Sequence, residues 1–307
     1  MSTSVAKAKA PDPSDKPHPI KHFLLGLVRK IAKAPLSVAF LWPVLLAIAA
    51  YVAWIQWGVD HVVPHFSRLE SSHIQLTERP DYIPEHVDLT AEVLAGTGMG
   101  DLSLLDRQVS ARIAEAYSTH AWIEQVKSVR VGVGGEIQVH VQYRQPVAMV
   151  RHLSRHPDVQ GWAYYPVDRM GIVLPPDSFG GKEAEKYLVI NIPEVDPRGT
   201  EGVSIGDSRV VLAASLAAIL MPHREELGLA AIELHPTTGA NRHRIEFDVV
   251  TQSGRRLVWG SPPGEELMNE PPADLKLKAL FQSPPPGTDL RMAALAAHRK
   301  QIANDVQ

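Results

Sequence analysis

The chain has 307 residues, with 31 Lys and Arg against 34 Asp and Glu, 14 His, 25 Pro and no Cys. That length holds one large or two ordinary domains, and the composition is too apolar for a disordered chain. The empty cysteine column excludes disulfides, thiolate metal sites and a Cys nucleophile, and a formal net charge of -3 argues against a nucleic-acid partner, which needs surplus cations to displace phosphate counterions.

Residues 1–33 read as a tail. The first 17 are Pro, Lys, Ser and Ala without periodicity. Ile20, Phe23, Leu24, Leu27, Val28 and Ile31 then fall at helical spacing among Lys21, Arg29, Lys30 and Lys33. An amphipathic helix on anionic lipid and an inward extension of the next helix fit this pattern equally well. Between Lys33 and Asp60 no residue is charged, and the run from Leu36 to Trp57 is almost wholly apolar. At about 1.5 Å per residue it reaches roughly 33 Å, which predicts a transmembrane helix over 34–59, with Pro43 inside it and Tyr51, Trp54 and Trp57 at the interface. Lys7, Lys9, Lys16, Lys21, Arg29, Lys30 and Lys33 precede the run, while the first basic residue after it is Arg68. The positive-inside bias then predicts a single-pass inner-membrane protein with a cytoplasmic N-terminus and an extracytoplasmic C-terminus.

Residues 70–148 carry the pattern of a small module. A strand at Ser72 to Thr77 precedes a helix opening at Pro84 and ending near Ala95-Gly96. Leu105, Val109, Ile113 and Tyr117 mark a second helix, with Ser103 or Asp106 as its cap. The period then changes to two through Val129, Val131 and Val133 and again through Ile137, Val139, Val141 and Tyr143. A three-residue loop from Gly134 to Glu136 pairs Val133 with Ile137, Val131 with Val139 and Val129 with Val141, so the apolar set shares one face.

Residues 149–293 predict a mixed β domain with flanking helices. Its strands are read at Tyr164 to Val167, Tyr187 to Ile192, Ala231 to His235, Arg244 to Val250, Arg256 to Gly260 and Thr288 to Met292. Asp168 to Gly171 makes a turn, from which Ile172 to Leu174 leads out. Asp207 caps a helix running to about Met221, and a further helix covers Ala273 to Phe281. Residues 294–307 form a charged C-terminal tail. The fold class expected is α+β: one transmembrane helix, a strand-helix-helix-strand-strand module and the β domain.

Tests for chemistry find no catalytic constellation. Gly202-Val203-Ser204-Ile205-Gly206 matches the nucleophile-elbow pattern, but a loop composition (Asp196 to Glu201) stands where that motif needs a buried strand. The pairs His18/His22, His61/His65 and His152/His156 have metal-site spacing but no Glu after the first His, and Gly96 to Gly100 is not a phosphate-binding pattern. Glu265-Glu266 sits in a Pro- and Gly-rich loop. No cofactor, metal or small-molecule substrate is expected.

The stretch His120-Ala121-Trp122-Ile123-Glu124-Gln125-Val126 with Val129-Arg130-Val131, then Tyr143-Arg144-Gln145-Pro146-Val147-Ala148, then Val167-Asp168-Arg169-Met170-Gly171, Leu257-Val258-Trp259-Gly260 and Asp289-Leu290-Arg291 resembles, in order and spacing, the FtsQ/DivIB family of bacterial division proteins. The likeness spans roughly residues 20–292. Tyr143 replaces the family's Glu, and Arg79-Pro80-Asp81 stands where its first strand carries V-x-G. The resemblance implies that 70–148 is a POTRA domain. It also implies a membrane-anchored, non-enzymatic scaffold that links proteins of the cell-division machinery at the septum. A small coiled-coil pair of the FtsB and FtsL type would be its partner, besides the bilayer. The expected docking edge is Thr288, Asp289, Leu290, Arg291 and Met292, with Arg291 free to pair an acidic partner residue. Two alternatives stay open: another POTRA-containing envelope scaffold or transport component, and a membrane-anchored hydrolase built on Ser204.

Overall fold

A computed structural model of the chain describes residues 36–58, 71–99, 106–132, 135–153, 161–195, 200–237 and 243–305. The expected tail of 1–33, with its surface helix, lies outside them. The chain divides into two units, Met1–Ser67 and Arg68–Gln307. In the first, α1 (Leu36–Ala53) contains Pro43 and passes into a π-helical turn at Trp54–Gly58. Eighteen residues of helix reach about 27 Å, short of a hydrocarbon core of about 30 Å. Among the described residues no helix is long and apolar enough to cross a membrane. The transmembrane helix over 34–59 is therefore corrected, and the inner-membrane localisation and orientation built on it fall with it: the α-helix described within that run is Leu36–Ala53, and it gives way to π-helical geometry at Trp54.

The second unit is α+β with two sheets. The first sheet has the order β1-β3-β2, from β1 (Ile74–Leu76), β2 (Ile123–Val131) and β3 (Ile137–Tyr143), with β1 parallel and β2 antiparallel to β3. Along β3, Ile137, Val139, Val141 and Tyr143 are buried while Gln138, His140 and Gln142 are exposed, which is the alternation of a strand with one covered face. Helices α2 (Leu89–Thr97) and α3 (Val109–Ser118) supply the cover through Leu89, Val93, Val109, Ile113 and Tyr117. The helix expected at Pro84 starts later, because Asp88 provides the cap: its carboxylate accepts the Ala91 N–H at 3.0 Å. Gly98, at φ 64°, closes that helix in the left-handed region. Of the two caps considered for α3, Ser103 lies outside the described residues, and Asp106 accepts the Gln108 N–H at 2.9 Å in the turn ahead of the helix.

The β2–β3 hairpin differs from the expected register. Val131 faces Ile137 and Val129 faces Val139, so the loop is Gly132 to Glu136 rather than three residues. The Gly132 N–H closes it on the Glu136 carbonyl at 2.7 Å. A shift of two residues preserves side-chain parity, so the apolar residues keep their common face although the pairing moved. Val133 and Gly134 lie outside the described residues.

The second sheet has six strands in the order β5-β4-β6-β7-β8-β9: β4 (Pro146–Leu153), β5 (Trp162–Asp168), β6 (Leu188–Asn191), β7 (Leu229–Leu234), β8 (Phe247–Thr251) and β9 (Arg256–Gly260). Strands β4, β6 and β7 are parallel and the remaining pairings antiparallel. A short helix, α4 (Gly181–Ala184), precedes β6. Val150, Ile190, Ile232, Val249 and Leu257 share one face and pack in a single core with α5 (Ser208–Leu220), α6 (Ala273–Phe281) and α7 (Leu290–Asp305). Ala213, Ala214 and Ala217 let α5 lie close on the sheet. Asp207 caps it as expected, accepting the Arg209 N–H at 2.9 Å. Residues 172–174, read as a strand leading out of the Asp168 turn, make only single bridges, Val167 to Val173 and Ile172 to Ser204. The strand expected at Thr288 to Met292 is not formed: Asp289 makes one parallel bridge with Val258, and from Leu290 the chain is helical through the expected tail to Asp305.

Candidate interaction surface

The residues singled out from the sequence fall into three places. The first is a joint between the two sheets. Arg144 donates from Nη1 to Asp168 Oδ2 at 2.8 Å, and Asp168 Oδ1 accepts the Met170 and Ile172 N–H groups at 2.8 and 2.9 Å. Asp168 is 3% exposed. Gly171 beside it has φ 70°, and a Cβ there would lie 2.9 Å from Val211 Cγ2 on α5. Only glycine satisfies both the turn and the close approach. Trp122 is fully buried and stacks on Phe179 with ring centroids 5.8 Å apart. Val167 is buried in the same region, and Pro146, Val147 and Ala148, buried likewise, open β4 of the six-stranded sheet. Across the same junction Arg169 pairs with Glu124 at 2.6 Å. On β2, Val126, Val129 and Val131 are half-buried and Arg130 is exposed.

The second place is the Thr288 to Met292 segment, where Arg291 is engaged rather than free. It holds Asp289 through two nitrogens, Nε to Oδ1 at 3.0 Å and Nη2 to Oδ2 at 2.8 Å, and reaches Glu246 at 3.2 Å. Burial opposes the charge of Asp289, yet its hydrogen bonds with Arg291 hold it below the usual carboxylate range. Leu290 is buried in the core, and Met292 is exposed. The expectation of a free pairing edge with an available arginine is corrected: Asp289 spends its carboxylate on the start of α7, accepting the Arg291 N–H at 2.9 Å. Beneath this segment Lys276 is fully buried, donating to Ser261 O and Glu270 Oε1 at 3.0 Å each.

The third place was not singled out from the sequence. On the sheet face away from α5, α6 and α7, a polar ladder crosses four strands. Asn191 Nδ2 donates to Glu233 Oε1 at 3.0 Å, Arg256 bonds Glu233 and reaches Asp248 Oδ2 at 2.9 Å, and His235 Nδ1 lies 2.7 Å from Asp248 Oδ1. The ladder leads to a groove of about 650 Å³ bordered by Arg151, Leu153 and Trp162. Leu153 and Trp162 are exposed there, and Tyr164, on the same face of β5, is exposed outside it. The sequence signal is the W-A-Y alternation of 162–164, which places two aromatics on one face of a strand.

Ser204 accepts the Gly206 N–H at 3.4 Å and sits in the bridge to Ile172; among the described residues no His or carboxylate bonds it. His152 Nδ1 lies 2.6 Å from the Val195 carbonyl oxygen. Among the described residues no group of three or more His, Asp or Glu is arranged to hold a metal ion. His18, His22, His61, His65 and His156 lie outside them. Neither the protein-family models nor the curated proteins contain a match to this chain.

Proposed function

We propose that this chain is a non-enzymatic scaffold of the bacterial cell-division machinery that links division proteins through the Arg68–Gln307 unit, a coiled-coil pair of the FtsB and FtsL type among them. The observation that supports this reading is the convergence of the Arg144 and Asp168 motifs at 2.8 Å, beside the buried Trp122 and the constrained Gly171. Short matches scattered by chance along 300 residues have no reason to meet in one packed joint. Here the Arg144–Asp168 and Glu124–Arg169 pairs tie the three-stranded module to the six-stranded sheet.

The test is co-expression of the full chain with an FtsB/FtsL-type pair from the same cells, followed by affinity purification and, separately, depletion of the chain during growth. Stoichiometric recovery of the pair and filamentous cells on depletion are expected. Recovery of neither protein, with normal septation on depletion, overturns the reading.

A further inference from the structure

The six-stranded sheet ends at β9 on one side and β5 on the other, and the chain treats these edges differently. At β9 the Val258 N–H donates to Thr288 O at 3.0 Å and the Gly287 N–H to Arg256 O at 2.8 Å, so the chain's own segment covers the edge. At β5 the Asp168 N–H donates to Ile172 O at 3.0 Å and the Leu174 N–H to Pro166 O at 2.9 Å, and there the cover stops. Main-chain groups alternate in direction along a strand, so those of Trp162 and Tyr164 point to the same side as those of Pro166 and Asp168. Among the described residues nothing bonds them on that side. Residues 172–174 thus begin a seventh line of pairing that a second segment could continue.

The side chains beside this edge are unlike those that protect exposed strands. Edge strands are normally blunted with charges, proline or bulges. Here Trp162 is 52% and Tyr164 42% exposed, and Leu153, opposite Trp162 in the register, is 57% exposed. One cation lies among them: Arg151, opposite Tyr164, sits with its guanidinium 4.3 Å from the centroid of the Trp162 ring. Its Nε is buried and has no hydrogen-bond partner. Of the acids lining the adjoining groove, Glu233 bonds Asn191 and Arg256, and Glu194 is exposed at its rim. Among the described residues no carboxylate pairs with Arg151, whose guanidinium rests on the Trp162 ring.

We propose that the outer edge of β5 receives an extended segment of a partner protein as an added strand, paired to the main chain of Trp162 and Tyr164. The segment's apolar residues pack on Trp162, Tyr164 and Leu153, and a carboxylate on the same face pairs with Arg151. Main-chain bonds supply affinity, and the aromatic pair with the arginine supplies selectivity for a strand that presents apolar residues and a carboxylate on one face. This proposal does not rest on the division role, because any protein bearing such a strand meets its requirements.

The test selects displayed random peptides of about ten residues on the purified full chain and titrates the synthetic winners calorimetrically. Winners are expected to carry apolar residues and an Asp or Glu at every second position, so that both fall on one face of the added strand. They should bind about tenfold or more weakly to Tyr164→Pro, which lacks the edge N–H, and to Arg151→Met, which keeps the stem but not the charge. Peptide binding should slow hydrogen exchange at the Trp162 and Tyr164 amides. If Tyr164→Pro does not fold, Trp162→Lys, which places a charge on the edge, must abolish binding in its stead. No selectable peptide, winners without acidic residues, or winners indifferent to these variants would each overturn the proposal. A concentration-dependent dimer lost in Tyr164→Pro, without peptide binding, would also overturn it and assign the edge to a second copy of the chain.

Discussion

The ion pair between Lys276 and Glu270 gives the most exacting test of how the C-terminal helices are held. Lys276 is fully buried; its Nζ has Ser261 O and Glu270 Oε1 at 3.0 Å and the Trp259 ring centroid at 5.1 Å. Glu270 Oε1 also accepts the Ser261 N–H at 2.9 Å. Burial opposes the charge of Glu270, but the bonds from Ser261 and Lys276 hold its carboxyl below the ordinary value. Replacing Glu270 with Leu leaves an ammonium without a counter-ion and an amide without its acceptor. The expected loss is about 3–5 kcal/mol, the range for breaking a buried pair from one side. For a body of this size that is a fall in Tm of roughly 6–20 °C, read by calorimetry and by Trp fluorescence. The double variant Glu270→Leu with Lys276→Met removes both charges and should recover more than half of the deficit. A single variant melting within about 2 °C of the parent, or a double variant melting below the single, would refute this account.

Two further predictions concern local geometry. Asp207→Ala should cost about 0.5–2 kcal/mol in chemical denaturation, through loss of the cap on α5. Hydrogen bonding to Arg209 holds the Asp207 carboxyl below the ordinary value, so its stabilisation is present above the unfolded pKa of about 3.9 and is lost as pH falls through the lower folded value; Asp207→Asn should flatten the acid limb of stability below about pH 4, and an unchanged limb would count against the pair. Gly171→Ala should cost about 2–4 kcal/mol, combining a left-handed backbone with the 2.9 Å approach to Val211. Gly206→Ala, also at positive φ but with open space around it, should cost only about 1–2 kcal/mol; equal losses at the two sites would remove the steric part of the argument.

Much of the second unit was legible because its determinants are local. Period-two alternation placed β3, and Asp207 before an Ala-rich run placed α5. Strand β9 and helix α6 occupy the ranges read for them, Arg256 to Gly260 and Ala273 to Phe281. What was misread depended on choices that local pattern leaves open. The β2–β3 register slipped by two because both registers bury the same residues, and the Gly132 to Glu136 hydrogen bond decides between them. The span over 34–59 was inferred from an apolar run, whereas the helix that forms within it is 18 residues long. The exposed aromatics of β5 escaped notice because an alternating strand ordinarily reads as half-buried, and only the sheet order shows that it is an edge.

The C-terminal misreading carries a rule that the chain itself supplies. Asp289-Leu290-Arg291 is expected in a strand from its resemblance to a D-x-R strand, yet Asp207-Ser208-Arg209 has the same spacing and opens a helix. In both, the aspartate accepts the N–H of the arginine two residues on at 2.9 Å, and that arginine returns two nitrogens to the carboxylate: 3.1 and 2.7 Å at Arg209, 3.0 and 2.8 Å at Arg291. The carboxylate meets the positive end of the helix while the arginine fixes its rotamer. A strand would point both side chains to one face but would leave the Arg291 N–H to a ladder partner on β9, which the segment meets only through the Asp289–Val258 bridge. Once α7 starts at Leu290, the segment before it is drawn across β9 and closes that edge of the sheet. The two-residue spacing therefore has a consequence at the far side of the fold. With β9 covered, the β5 edge at Trp162 and Tyr164 is left, among the described residues, as the open edge of the six-stranded sheet.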